Sequence, residues 1–316
     1  MSAKAVEIEP RPGSDAARAG AARAGAARAS TAARALRERY RAAGLRPRKH
    51  LGQHFLADLN LARKIVAELP APPGAGPVLE IGAGLGALTF LIAERGHIGV
   101  AVEVDKQLAA WLAEALAPWP QFRVAGADIR TLDFATAAGA PRLSVAGNLP
   151  YCLTSDIVLQ LVREAPVIER AVIMVQDDVA ARLAAPPGTR AYGSLTVAVA
   201  LRFEVQPVLR APRQAFWPAP DVDSMVLRLV PRPAPDLGDP ARLERVVRAA
   251  FAQRRKTLAK SLAAGLALER PALEAEIHAL GLDPACRAET LAPGDFVRLA
   301  RALAAPGEEP GEEPRP

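Results

Sequence analysis

The feature that most narrows the folds open to this chain is a switch of hydrophobic period, repeated several times in the same order. Val78-Leu79-Glu80-Ile81 reads as a buried strand and Ala87 to Arg95 as a helix. Ile98 to Val104 is again a strand, and Lys106 to Ala117 a helix. Phe122 to Ala125, Leu143 to Ala146 and Ala171 to Val175 are further short apolar runs of strand length. Strands alternating with helical patterns predict an α/β fold, with a mainly parallel sheet covered by helices on both faces. Phe203 to Leu209 and Met225 to Val230 follow without a long helix between them, which predicts a hairpin-like edge. Ahead of the series, Leu61, Ile65, Val66 and Leu69 recur at helical spacing behind Asp58, a suitable cap.

After the proline-rich stretch Pro231 to Pro240, only helical patterns remain: Leu243 to Phe251, Thr257 to Leu268, Ala272 to Leu280 and Pro293 to Leu303. They predict a small all-helical second domain. Residues 11–44 are rich in Ala and Arg and nearly lack larger aliphatics, so nothing there anchors a core. The expected organisation is therefore a disordered arm over 1–44, a sheet domain over 45–232, a helical domain over 233–305 and a disordered tail over 306–316. The arm reads as a plain solvated tail, a sliding contact for RNA phosphates, or a transit peptide, the last weakened by Glu7, Glu9 and Asp15. No apolar run of about 18 residues predicts a membrane span. Two cysteines, Cys152 and Cys286, make no disulfide framework and fit a reducing cytosol. Four histidines and two cysteines without ligand spacing predict no metal site. A net charge of +6 favours a polyanionic partner only weakly, because the basic residues are unevenly placed.

In open sheets of this type ligands bind beyond the carboxyl ends of the strands, and every polar candidate falls there. The first strand runs into Gly82-Ala83-Gly84-Leu85-Gly86. Glycines allow a sharp turn and close approach of the backbone to a ligand, and a following helix offers free amide hydrogens. A dinucleotide turn would have Gly-x-Gly-x-x-Gly. Here the third glycine comes one residue early, which points to S-adenosylmethionine, its amino-acid end and ribose over Gly82 and Gly84. Glu103 ends the second strand about 20 residues on, where a carboxylate can take both ribose hydroxyls. Helix capping is the plainer job for an acid there, and suits Asp105 better. Asp128 ends the third strand and can accept from the cofactor's adenine amine, or serve as an ordinary turn aspartate.

Asn148-Leu149-Pro150-Tyr151 ends a later strand. An adenine exocyclic amine is a poor nucleophile, because its lone pair is shared with the ring. Two acceptors aimed at its hydrogens turn that lone pair towards a methyl donor. The Asn148 side-chain oxygen can be one, the Leu149 carbonyl the other, and Pro150 fixes the turn. Tyr151 can stack on the base. Methyl transfer then needs positioning rather than a strong base. Taken alone, the tetrapeptide also suits a plain strand-ending turn.

With these residues in register, the chain resembles the small-subunit (16S) ribosomal RNA adenine N6,N6-dimethyltransferases from about Leu45 to Leu303. The landmarks are Leu51-Gly52-Gln53-His54-Phe55-Leu56, the glycine turn, Val102-Glu103-Val104-Asp105 and Gly147-Asn148-Leu149-Pro150-Tyr151. Downstream come Ala191-Tyr192-Gly193-Ser194-Leu195, Ala215-Phe216-Trp217-Pro218-Ala219-Pro220 and the discriminating Phe251-Ala252-Gln253-Arg254-Arg255-Lys256-Thr257-Leu258. The resemblance implies a Rossmann-like class I methyltransferase sheet and dimethylation of two adjacent adenosines in a hairpin near the RNA 3′ end. The partner would be an assembly intermediate of the small subunit, met in the cytoplasm by a monomer. It implies that His54 and Leu56 belong to a lid over the cofactor, although most relatives carry asparagine at the position of His54. Relatives often have proline at the third place of Thr154-Ser155-Asp156, which predicts an altered helix start here. Phe216 matches a second aromatic wall for the target base, or else a loop anchor under the prolines. Arg254, Arg255 and Lys256 would hold RNA phosphates. Two other readings stay open: a large-subunit (23S) adenine methyltransferase of the macrolide-resistance type, and a non-catalytic assembly factor.

Overall fold

The computed structural model describes residues 51–303 apart from 73, 234 and 235, together with 38, 40–42, 44, 47 and 48. Its centre is a seven-stranded sheet with a two-stranded ladder at the edge of the cleft. In chain order the strands are β1 (Phe55–Leu56), β2 (Val78–Ile81), β3 (Gly99–Val102), β4 (Phe122–Ala125), β5 (Leu143–Asn148), β6 (Ile168–Gln176), β7 (Phe203–Ala211), β8 (Phe216–Trp217) and β9 (Ser224–Pro231). The helices are α1 (Leu59–Ala67), α2 (Thr89–Glu94), α3 (Lys106–Ala115), α4 (Phe134–Ala138), α5 (Thr154–Arg163), α6 (Asp177–Leu183) and α7 (Ser194–Ala200), then α8 (Pro240–Phe251), α9 (Leu258–Leu266), α10 (Arg270–Ala279) and α11 (Pro293–Ala302).

The large sheet has the order β4-β3-β2-β5-β6-β9-β7. The strands from β4 to β6 are parallel, while β9 runs antiparallel between β6 and β7. The predicted parallel sheet and antiparallel edge are both present. Successive residues of one strand serve opposite layers. Leu79, Ile81, Val100, Val145 and Ile173 pack with Phe134 of α4, Ile157 and Leu161 of α5 and Leu183 of α6. Val78, Ala101, Ala146 and Val172 pack with Ile65 of α1, Ile92 of α2 and Leu112 of α3. Apolar runs without alternation are thus explained by burial on both faces.

Local chemistry sets the element ends. Asp58 caps α1 as expected, accepting from Asn60 N at 2.9 Å and Leu61 N at 3.1 Å. The expected helix from Ala87 to Arg95 is shorter, because residues 84–88 are spent on turns after the glycines. α7 is one helix that patterning misses, since Thr196, Val197 and Val199 favour strand. Its start is held by Thr196, whose Oγ1 accepts from Gly193 N at 3.1 Å and donates to Arg182 O at 2.7 Å.

The four expected C-terminal helices are present as α8 to α11. Their apolar faces do not close on themselves: Tyr192, Val197 and Leu201 of the preceding region share their core. Most of the 1–44 arm and all of the 306–316 tail lie outside the described residues. Tyr40, assigned to that arm from composition, is buried to 1% exposure. Its ring meets Phe55 and Trp217, each at 5.3 Å between centroids. An isolated tyrosine in an Ala/Arg-rich stretch is therefore a core residue, because its aromatic partners arrive from distant positions.

Candidate active site

A cleft of about 170 Å³, open to solvent, lies at the carboxyl ends of β2, β3 and β5. Its wall includes His54, Leu56, Gly82, Gly84, Glu103, Asp128 and the segment Asn148-Leu149-Pro150-Tyr151. The two halves of the sequence expectation meet because β2 pairs with β3 on one side and β5 on the other. A Cβ built on Gly82 would lie 3.6 Å from Asn148 O and 4.0 Å from Pro150 Cδ. The glycine turn and the strand end behind Asn148 are thus immediate neighbours.

Gly84 shows why that turn demands glycine. Its φ is +54°, and a Cβ would stand 3.0 Å from the Phe55 ring. The amide so exposed is bound: Glu103 Oε2 accepts from Gly84 N at 2.8 Å, and its Oε1 accepts from Asp105 N at 2.9 Å. Glu103 is therefore clamped by main-chain amides, with acceptor capacity left on its carboxylate. Burial raises its pKa, opposed by those amide hydrogen bonds. Asp105 does the capping, accepting from Gln107 N at 3.0 Å. It is buried, paired with Arg48 at 3.2 Å and within 3.3 Å of Gln53 Nε2, so the segment leading to His54 is fastened beside Glu103.

Glu80, on β2 in the same wall, is 2% exposed and accepts from Thr89 Oγ1 at 2.5 Å. Burial lifts its pKa from 4.5 to about 8, with Thr89 opposing and the nearby Glu103 adding to the rise. Sequence reading placed Glu80 in the motif but gave it no part. Asp128 caps the turn Ile129–Thr131, and its carboxylate is gripped by Arg130 at 2.7 Å, which lowers its pKa. The turn role read from sequence is therefore visible, and the carboxylate is already engaged by its own chain.

The Asn148 amide is the most informative group. Its Nδ2 donates to His54 O at 2.7 Å, which fixes the orientation of the side chain. Its Oδ1 is buried and has no hydrogen-bond partner among the described residues. A buried acceptor left in this state is costly unless a ligand donor completes it. The Pro150 carbonyl already accepts from Leu153 N at 3.0 Å and Thr154 Oγ1 at 3.1 Å. Tyr151 is held by its hydroxyl, 2.8 Å from Ser224 Oγ. Ser224 itself was not foreseen; only its place downstream of the Phe216–Pro220 landmark hinted at it.

Four expected site residues lie outside the cleft. Phe216 does not line the cleft and is 2% exposed. In the β1–β8 ladder Leu56 faces Phe216 and Phe55 faces Trp217. Strand alternation therefore sends Phe216 into the core with Leu56, while Trp217 joins Tyr40 and Phe55. The ring found against Tyr151 is that of His54, at 5.2 Å and 25° between planes. Of the loop-anchor and base-wall readings, the burial of Phe216 fits the anchor. Arg254, Arg255 and Lys256 are exposed in the turn before α9 and are not part of the cleft. Arg254 is in part committed within the chain, donating to Arg190 O and lying 3.7 Å from Glu289. Among the described residues no cluster of His, Cys, Asp and Glu could hold a metal, and no helix is long and apolar enough to cross a membrane.

The model of the family described as "Ribosomal RNA adenine dimethylase" matches residues 44–305. The chain is 42% identical to the ribosomal RNA small subunit methyltransferase A of Geobacillus kaustophilus, over 84% of this chain and 93% of that protein. It is 43% identical to the protein of the same name from Myxococcus xanthus, over 82% of this chain and 92% of that one. Among solved structures, a dimethyladenosine transferase from Plasmodium falciparum is similar in fold, with a TM-score of 0.68 and 23% identity over 78% of this chain and 96% of that chain. The 23S rRNA methyltransferase ErmE aligns with a TM-score of 0.59 and 31% identity, over 79% of this chain and 99% of that one.

Proposed function

The chain belongs to the ribosomal RNA adenine dimethylase family, and on that premise we propose that it methylates adenine N6 in small-subunit ribosomal RNA, with S-adenosylmethionine as methyl donor. The finer reading is that two adjacent adenosines in a hairpin near the 3′ end of 16S RNA each receive two methyl groups. A monomer would do so on an assembly intermediate, in the compartment where ribosomes are built.

The observation that carries this reading is the orphaned Oδ1 of Asn148 at the cleft wall. It is an acceptor held ready for a donor hydrogen, which an adenine amine supplies. The cleft also suits the cofactor. The left-handed glycines at 82 and 84 leave room that side chains would fill. Glu103 keeps acceptor capacity for ribose hydroxyls, while Glu80, which burial keeps protonated up to about pH 8, lines the same wall as a neutral acid. Bound there, S-adenosylmethionine supplies an electrophilic methyl carbon on a sulfonium. The chain's own contribution is to bind and orient. Asn148 Oδ1 and, in our assignment, the Leu149 carbonyl draw the two amine hydrogens aside, so that the nitrogen lone pair faces the donor. Tyr151, anchored by Ser224, offers the face on which the base stacks.

The test is to incubate the protein with labelled S-adenosylmethionine and undermethylated small subunits, then map the product nucleosides. N6,N6-dimethyladenosine is expected. Asn148→Ala should lower turnover by about 10²-fold or more, since positioning is lost, and should leave cofactor affinity in place. Unchanged turnover in that variant would refute the assigned role. The 31% identity to ErmE keeps a large-subunit reading worth testing beside it. Label entering large subunits and not small ones would decide for that alternative.

A further inference from the structure

We propose that the His54 imidazole is a placeholder for the target base: it covers the stacking face of Tyr151 and must swing away before an adenine can take its position. The inference rests on the methyl-transfer reading above and adds a substrate-admitting step to it.

Three observations carry it. First, the imidazole and the Tyr151 ring lie 5.2 Å apart at 25°, in direct stacking contact. A purine between them would need two stacking gaps of roughly 3.5 Å each, so the base cannot enter between the rings as they stand, and to stack on the Tyr151 face that the imidazole occupies it must displace that ring. Second, the ring is latched from the far side, with His54 Nδ1 2.8 Å from Pro218 O. A carbonyl only accepts, so the proton is on Nδ1. Third, the His54 main chain is fixed independently, because its carbonyl accepts from Asn148 Nδ2 at 2.7 Å. The side chain can therefore rotate while the carbonyl keeps the Asn148 amide aimed. Phe216, the expected second ring, is buried away from the cleft, so His54 is the ring that meets Tyr151 among the described residues. The ligand class is a flat base with a donor edge, for which an imidazole with an N–H is a small stand-in.

The test compares His54→Ala and His54→Phe with wild-type enzyme on undermethylated small subunits. If the imidazole competes with the base, His54→Ala lowers the KM for the subunit by about two- to tenfold, the span expected for losing one aromatic pair. His54→Phe, which keeps a ring over Tyr151 but loses the latch to Pro218, holds the KM above that of His54→Ala. A rise in KM with His54→Ala that Phe restores would make the residue a wall of the base seat and overturn the proposal. A change confined to the KM for S-adenosylmethionine would overturn it too, by assigning the ring to the cofactor. His54→Asn serves as the comparison should the alanine variant not fold. A second readout needs no activity. The chain has four histidines, and one should show ring protons shifted upfield by the Tyr151 ring current in the free protein. Absence of such a shift would sink the proposal even in an active enzyme. Absence of any methyl transfer by wild-type protein would instead sink the functional reading, with the stacking test still answered.

Discussion

Asn148 and Glu80 show how single buried groups announce function. Each is polar, each lies in the cleft wall, and each is left in a state that folding alone does not favour. Asn148 keeps an acceptor without a donor. Glu80 keeps its proton up to about pH 8, because burial disfavours the carboxylate. The sign of the consequence follows from linkage. A carboxyl whose folded pKa is raised stabilises the fold fully below the unfolded value of 4.5, and that contribution is lost as pH rises through about 8. Glu80→Gln, which keeps the shape and the Thr89 contact, should therefore remove a fall in melting temperature that wild-type protein shows between about pH 5 and pH 9. A melting temperature with the same pH slope in both proteins would contradict it. Tyr40 makes a parallel point for packing. Tyr40→Ala should destabilise by about 3–5 kcal/mol, as for other large buried rings cut to alanine, read as a lower urea midpoint at constant m-value.

The glycine turn and the β1–β8 ladder do the positioning that single residues cannot. Gly84→Ala imposes a left-handed alanine, costing about 1–2 kcal/mol, and sets a methyl 3.0 Å from Phe55. Phe55 belongs to the ladder that sets Leu56 in the cleft wall, so the change should both lower the melting temperature and weaken S-adenosylmethionine binding, measured by calorimetric titration. Stability loss with unaltered cofactor affinity would show that the turn and the β1–β8 ladder are uncoupled in binding. The glycine turn was legible from spacing alone, since glycine is the residue type that takes three close left-handed positions without strain. The fate of Phe216 was not legible. Whether a two-residue strand shows a ring to the cleft or to the core depends on register with β1, some 160 positions away.

The sheet and the C-terminal helices share one apolar cluster through Tyr192, Val197 and Leu201, so they should behave as one cooperative unit. Tyr192 is 2% exposed and its hydroxyl donates to Leu291 O at 2.9 Å. Tyr192→Phe leaves that carbonyl unpaired at a cost of about 1–3 kcal/mol. The whole calorimetric transition should move down together; a shift of one of two separable transitions would show that the helical region melts independently. The composition break at Pro231 marks where the pattern changes, and the four helices beyond it are where periodicity places them. Pattern cannot say that α7, upstream of that break, lends its apolar side to them.

The alternation of strand and helix, the cap at Asp58, the glycine turn and the acids and amide at strand ends are properties of short stretches of chain. Local sterics, period and hydrogen-bonding chemistry decide them, so the order of amino acids was sufficient. The hold of Gly84 on Glu103, the orphaned oxygen of Asn148, the burial of Phe216 and the His54–Tyr151 stack each depend on segments that belong to different strands or loops of the chain. Such contacts exist only once strand order and register have brought the segments together, and that information is three-dimensional.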